Sequence, residues 1–360
     1  MTKKIIKPLL IILSVFVILA ATYTAYVLLS YNRIEDNLSL AIEGDAAEDV
    51  AEVNKSYRLV SANLGFGAYS DDYSFFMDGG TESWAYSKEA VNKNITGSIN
   101  TILSVNPDII ACQEVDINST RSYHTNEQDL ILNILDKNNY TNTSSTFAIN
   151  YDSPFLMYPF TQPHGKSQAG ILTISPIQII NSVRRSLPID ENLSKLIDLD
   201  RCYSKNVMEV ENGKKLVLYN VHLSAYSTNP DTADNQIKVL NADMSEELAE
   251  GNYIIACGDM NKDMLGDSSI YFGSKSEAGW AKPFNTDYLD DGFTLVGPID
   301  NNNPVPSARN ADSPYTKDSF VITIDGFIVS SNVEVEEASV IDSGFKYSDH
   351  NPVYMDFILK

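Results

Sequence analysis

Two apolar runs, "IIACQE" at 109–114 and "IIACGD" at 254–259, each carry a carboxylate two residues after four consecutive apolar residues. Runs of that kind suit strands covered on both faces, not half-solvated ones. A chain that holds them needs layers on each side of its sheets. "YRLVSANLG", "GILTIS", "CYSKNVMEV", "KKLVLYNVHLS", "FVITIDGFIVS" and "PVYMDFIL" read as further strands. Between them, 88–103 repeats Val91, Ile95, Ile99 and Leu103 every four residues, which predicts an amphipathic helix. Two more helices are expected at 127–137 and at 232–250, the latter capped by Asp231. Strands joined by hairpins and helical crossovers imply an α/β (α+β) fold, with two mixed sheets packed face to face and helices outside.

The segments 65–87 and 265–318 are rich in Gly, Asp, Asn and aromatics and are expected to be long surface loops. The three cysteines form no C-x-x-C, and two lie in the apolar runs, so neither a zinc site nor a disulfide framework is expected. The formal charge of −22 disfavours non-specific binding to a phosphate backbone, which needs Lys and Arg.

The first thirty residues are different in kind. Lys3, Lys4 and Lys7 precede an apolar run from Pro8 to Leu29, long enough to cross a bilayer as a helix. The lysines place the amino end in the cytoplasm and the remainder outside. The run continues past the small-residue stretch "ILAAT", which favours an uncleaved anchor over a signal peptide. The expected organisation is an anchor at 1–31, an acidic tether at 32–55 and one domain at 56–360. That makes a single-pass cell-membrane protein with an extracellular, monomeric domain, of bacterial type given its few cysteines and short anchor.

Polar residues gather where the strands end. Asn63 closes "LVSAN", Glu114 "IIACQE", Asn220 and His222 "VLYNVH", and Asp259 and Asn261 "IIACGDMN". Asp325 follows "VITI", and Asp349 and His350 precede the strand "PVYMDFIL". Each alone is an ordinary strand-end residue. Together, carboxylates and amides without a cysteine suit a hard cation, and two histidines can serve as acid and base. These are the parts that phosphate-ester hydrolysis requires.

The ordered motifs Asn63, "DIIACQEVD", "NVHL", "GDMN", "IDGFIVS" and "SDHNPV" resemble the endonuclease/exonuclease/phosphatase superfamily from about Tyr57 to the last strand. The resemblance implies a DNase I-like four-layer sandwich and a phosphoric ester hydrolase using Mg²⁺ or Mn²⁺. By that resemblance Glu114 is the principal metal ligand, with Asn63 and Asp349 close to the metal. Asp259 orients the attacking water and Asn261 hydrogen-bonds the phosphate. His350, polarised by Asp325, faces the scissile phosphate from one side and His222 from the other. Asn220 and Arg201 are expected at the substrate. The histidine of "NVHL" points away from abasic-site endonucleases and towards the diesterase branch. Gly65 stands where the apurinic enzymes have a carboxylate, and the asparagine usual before "GILTIS" is absent.

Three functions remain open from the sequence. The first is a phosphodiesterase acting on phospholipid headgroups. The second is an extracellular DNase. The third is a catalytically silent binding or adhesion module. Arg121 and Lys166 are further candidates for substrate phosphate, whereas His124 and His164, in polar stretches, are expected to be solvated. Asp71, Asp72 and Asp78 lack the spacing of a calcium loop.

Overall fold

The computed structural model describes residues 2–190, 192, 195, 199–225, 229, 231–273 and 281–360. Helix α1 (Thr2–Ser30) comes first, and its portion Ile6–Ser30 is long and apolar enough to cross a membrane. The domain then lays down its sheets almost in chain order. The first sheet takes β1 (Ser56–Asn63), β2 (Ile109–Asp116), β3 (Ser144–Leu156) and β4 (Gly165–Ser175). The second takes β5 (Ile179–Ser186), β6 (Cys202–Val210), β7 (Lys215–His222) and β8 (Tyr253–Asp259). It is completed by β9 (Phe293–Val296) and β10 (Asp325–Ser330). A hairpin of β11 (Val333–Val340) and β12 (Val353–Leu359) then returns to the first sheet.

The spatial orders are β11-β12-β1-β2-β4-β3 and β5-β6-β7-β8-β10-β9, with two-residue strands at the edges. Among these long strands, only β1 with β2 and β7 with β8 run parallel. Parallel neighbours need a crossover, which α2 (Lys88–Leu103) and α4 (Thr232–Ala249) provide. Leu59, Ile109 and Ala111 meet Leu218, Ile255 and Phe327 in the core between the sheets. Outside, α2 lays Val91, Ile95 and Ile99 on Val60 and Ile110, beside α3 (Glu127–Lys137). On the other face α4 lays Ile237, Leu240 and Met244 on Val217 and Ile254. The result is the expected four-layer α/β/β/α sandwich.

Several local expectations are corrected. Ile102, not Leu103, completes the buried stripe of α2. Ser87 and Asn126 cap α2 and α3 by accepting from Ala90 N–H and Asp129 N–H, but Asp231 makes no side-chain cap to α4. The segment 65–87 is no solvated loop: Phe66, Tyr69, Tyr73 and Phe75 are buried and their rings pack edge-on or tilted. The segment 265–318 holds β9 and the strand Ala308–Arg309, paired with Val321–Ile322; its residues 274–280 lie outside the described ones. The acidic stretch 32–55 is stitched to the domain. Leu38–Ser39 pairs with β5, Ile42–Glu43 with β3 and Val50–Ala51 with β6, satisfying edge groups that would otherwise face water.

Candidate active site

The topology brings the polar residues to one rim. Asn63, His222 and Asp259 end β1, β7 and β8, and Glu114 lies near the end of β2, so both parallel pairs finish at the same edge. Their antiparallel neighbours start there: Asp325 opens β10, paired with Asp259, and Asp349 and His350 lead into β12. Two local features aim the side chains. Strand β2 bulges between Cys112 and Val115, and Glu114 sits there at φ 53°, turned out of the strand's alternation. Gly258, at φ +143°, lies so close to β7 that a Cβ would come within 1.9 Å of the Val221 carbonyl oxygen. Only glycine lets β8 carry Asp259 alongside His222.

Asp259 Oδ2 is the hub. It accepts from Asn63 Nδ2 at 3.0 Å and lies 3.6 Å from His222 Nε2 and 3.8 Å from His350 Nε2. Its Oδ1 accepts from the Asn261 N–H. His350 Nδ1 is 2.8 Å from Asp325 Oδ2, which also accepts from the Ser307 hydroxyl. That bond turns Nε2 into the cleft. His222 Nε2 lies 3.9 Å from Glu114 Oε1. The cleft itself, about 180 Å³, is lined by Glu114, Arg201, His222, Asp259, Asp349 and His350, among others.

The two imidazoles are driven apart in charge. Burial acts to lower the His350 pKa, but the Asp325 carboxylate bonded to it, helped by Asp259 and Asp349, holds it well above the ordinary range. His222 is held well below that range by burial, with Arg201 and His350 adding to the effect. Burial raises Asp259, with Asp325 adding and His350 opposing. Burial likewise pushes Asp349 up to about 6, with Glu114 reinforcing it and His350 opposing. Carboxylates gathered in one cleft, as Glu114, Asp259 and Asp349 are, suit a hard divalent cation. Asp259, Asp325 and His350 also offer ligand atoms within 4.8 Å of one another. In that trio His350 is hydrogen-bonded to Asp325, and Glu114 and Asp349 add further carboxylates to the cleft lining.

Most of the predicted residues meet at this rim, with specific corrections. Asn220 does not reach the cleft. It is fully buried between the sheets, accepting from Gln113 Nε2 at 2.7 Å and donating to the Leu172 carbonyl at 3.0 Å, so it is an inter-sheet strut. Asn63 turns its amide nitrogen to Glu114 and Asp259, while its oxygen accepts from the Gly65 N–H, which places it between the two carboxylates. Gly65 fits there because a Cβ would come within 2.7 Å of the Tyr69 ring. Asn261 lines the cleft, its amide donated to the Leu223 carbonyl. Arg201 lines it too, donating to the same carbonyl. Arg121 lines the cleft as well, buried against Asp116 at 2.9 Å and stacked 3.8 Å from the Phe66 ring centroid. His164 is buried, not solvated, whereas His124 and Lys166 are exposed.

Three residues escape sequence reasoning. Ser307 fixes Asp325, Ser348 donates to the Asn63 carbonyl, and Arg309 lines the cleft while gripping the Ser70 and Tyr73 carbonyls. The serine of "SDH" was in view, but nothing in the other two local sequences marks them.

The model of the Endonuclease/Exonuclease/phosphatase family matches residues 60–350. Among solved structures, ANGEL2, a 2',3'-cyclic phosphatase in complex with adenosine-2',3'-vanadate, is similar at TM-score 0.54 and 12% identity, over 89% of this chain and 98% of that one. An endonuclease/exonuclease/phosphatase from Bacteroides vulgatus is similar at TM-score 0.52 and 13% identity, over 85% and 100%. Another from Beutenbergia cavernae DSM 12333 reaches TM-score 0.50 and 16% identity, over 85% and 72%. At these identities the likeness is one of fold. No curated protein matches the sequence.

Proposed function

Because the chain belongs to the endonuclease/exonuclease/phosphatase family, whose members are metal-dependent hydrolases of phosphoric esters, we propose that it is a Mg²⁺-dependent phosphodiesterase working outside the cell. The observation that carries this is the pair of imidazoles that face a single carboxylate oxygen, His350 held above the ordinary pKa range by Asp325 and His222 held below it by burial. Asp259, its proton affinity raised by burial, orients a water and accepts its proton as the water oxygen joins phosphorus. One P–O ester bond breaks and its electron pair leaves with the departing oxygen, which takes up a proton from solvent water. The His350 imidazolium stabilises the charge that gathers on the phosphoryl oxygens, and Asp325 keeps it protonated. His222 and Asn261 border the phosphate from the β7–β8 side. A divalent ion held by Glu114 and Asp349, when bound, supplies charge neutralisation at the phosphoryl group.

A diester fits better than a monoester. A monoester brings up to about two negative charges near neutral pH, a diester one, and the cleft sets Asp78, Glu114, Asp259 and Asp349 against Arg121, Arg201 and Arg309, which leaves the smaller charge the easier to hold. The extracellular placement rests on Lys3, Lys4 and Lys7 preceding the apolar span. Protease added to intact cells should therefore digest the domain.

The test is turnover by the full chain in detergent of bis(4-nitrophenyl) phosphate and 4-nitrophenyl phosphate, with Mg²⁺, Mn²⁺ or EDTA. Metal-dependent cleavage of the diester, lost in His350→Ala, is expected. Cleavage of the monoester alone would replace the diesterase reading with a phosphatase one.

A further inference from the structure

A second cavity of about 570 Å³ opens beside the catalytic cleft. One wall is the carboxyl-terminal part of α1, through Tyr23 and Val27; the other is the domain, through Phe76, Leu156 and Tyr158. Hydrogen bonds hold the walls in place. The Tyr23 hydroxyl accepts from the Met157 N–H at 2.8 Å and donates to the Phe155 carbonyl at 3.2 Å, and the Tyr26 hydroxyl accepts from the Phe155 N–H at 3.1 Å. The groove is thus lined by the same helix that is long enough to span a bilayer.

Met77, Tyr151 and His164 line both the groove and the cleft, so the two are continuous. His164 marks the junction. It is 6% exposed, its Nε2 meets the Ser167 hydroxyl at 3.3 Å, and its Nδ1 has no hydrogen-bond partner among the described residues. A buried imidazole nitrogen without a protein partner, where the polar cleft meets the apolar groove, is left for a water or a ligand's polar group to satisfy. Around the mouth, the turn after β3 exposes Tyr158 at 65% and Phe160 at 81%. Exposed aromatics beside a spanning helix are residues of the membrane interface.

We infer that this groove takes an acyl chain of a bilayer phospholipid whose phosphodiester lies at His350. The substrate class is then a membrane lipid, an assignment that rests on the phosphodiesterase reading above. A phospholipid has the same order of parts: a charged phosphate, ester carbonyls, then hydrocarbon. The structure presents in sequence the charged cleft, the unpaired His164 nitrogen and the apolar groove. Nucleic acid has no part for the groove, and the chain's charge of −22 gives it no counter-charge.

Two measurements test the inference. In the first, the full chain is placed in phosphatidylcholine nanodiscs doped with phosphatidylcholine carrying a diazirine at one acyl terminus, and the cross-links are mapped by mass spectrometry. Labels on Phe76, Met77 and Leu156, lost in Leu156→Trp, are expected; labels confined to residues 6–22 of α1 overturn the inference. In the second, KM is compared for methyl and octyl 4-nitrophenyl phosphate. Each buried methylene is worth on the order of fourfold, so the octyl ester should have a KM lower by about tenfold or more. Leu156→Trp should erase that difference. Ile180→Trp, at an exposed position on β5, should keep it. Equal KM values for the two esters, with both cleaved, remove the groove and leave the diesterase standing. Turnover of neither ester removes the diesterase reading and the lipid assignment with it.

Discussion

His222 and His350 approach one oxygen, Asp259 Oδ2, from opposite sheets at 3.6 and 3.8 Å, yet their pKa values are driven in opposite directions. The difference comes from their partners. His350 has Asp325 at 2.8 Å, whereas His222 is buried with Arg201 near it. An activity that needs the His350 cation is lost as pH rises through its pKa. Asp325→Asn removes the anion that raises that pKa. The alkaline limb of kcat/KM should therefore move to lower pH, with a loss at pH 8 of at least about tenfold. A pH–rate profile of both proteins measures this; an unmoved limb would separate Asp325 from the titration.

The metal prediction concerns Glu114. Removal of divalent ions with EDTA should abolish turnover, and added Mg²⁺ should restore it. Glu114→Gln keeps the shape and removes one charge from the donor pair with Asp349. Its maximal rate should fall by about 10²–10³, a range in keeping with lost electrostatic stabilisation, and half-maximal activity should require more Mg²⁺. Titration of activity against free Mg²⁺ reads both.

Asn220 separates structure from catalysis. Asn220→Leu strands the Gln113 amide and the Leu172 carbonyl between the sheets. Unfolding by urea should show a loss of about 2–3 kcal/mol. KM for the diester should stay within about twofold of the parent, because the side chain never touches the cleft. A large rise in KM at normal stability would return Asn220 to the substrate.

His164 controls acid stability. Burial lowers its pKa to about 3 from an ordinary 6.5, and Arg121 adds to the effect. The unfolded chain thus binds a proton that the folded one refuses. The stability carried by the neutral form is complete above about pH 6.5 and is lost progressively as pH falls towards 3. By pH 5 that loss is about 2 kcal/mol. His164→Phe should flatten the fall in Tm between pH 7.5 and 5, and thermal melts at the two pH values decide it.

The rim was legible in the sequence because strand ends announce themselves. Ionisable residues set close to apolar runs, as in "IIACQE" and "IIACGD", have few bland explanations when six recur in one chain. Depth was not legible. Asn220 and His222 share a strand face two residues apart, and only the packing of the opposite sheet decides that one is a strut and the other lines the cleft. His164 looked solvated inside "QPHGKS", yet Phe76 and Tyr151 close over it from elsewhere in the chain. The same holds for 65–87, whose glycines and aspartates suggested a loop while its aromatics built a core of their own. The acidic stretch 32–55 gave no sign of its edge pairings, because those depend on strands more than a hundred residues away.

The pairing of β1 with β12 also sets a clock. Arg58 on β1 bonds Asp356 on β12 across 298 residues of chain. At about 5–20 residues per second, a ribosome takes roughly 15–60 s to supply that partner. Throughout this interval β1 has a bare edge, and Asn63, Glu114, His222 and Asp259, made one after another, still lack the imidazole that completes their rim. Asp349 and His350 arrive together with the strand that seals the sheet. Closing the edge and arming the hydrolase are one event in the life of the nascent chain, and no half-made domain can cut a phosphate ester on the way.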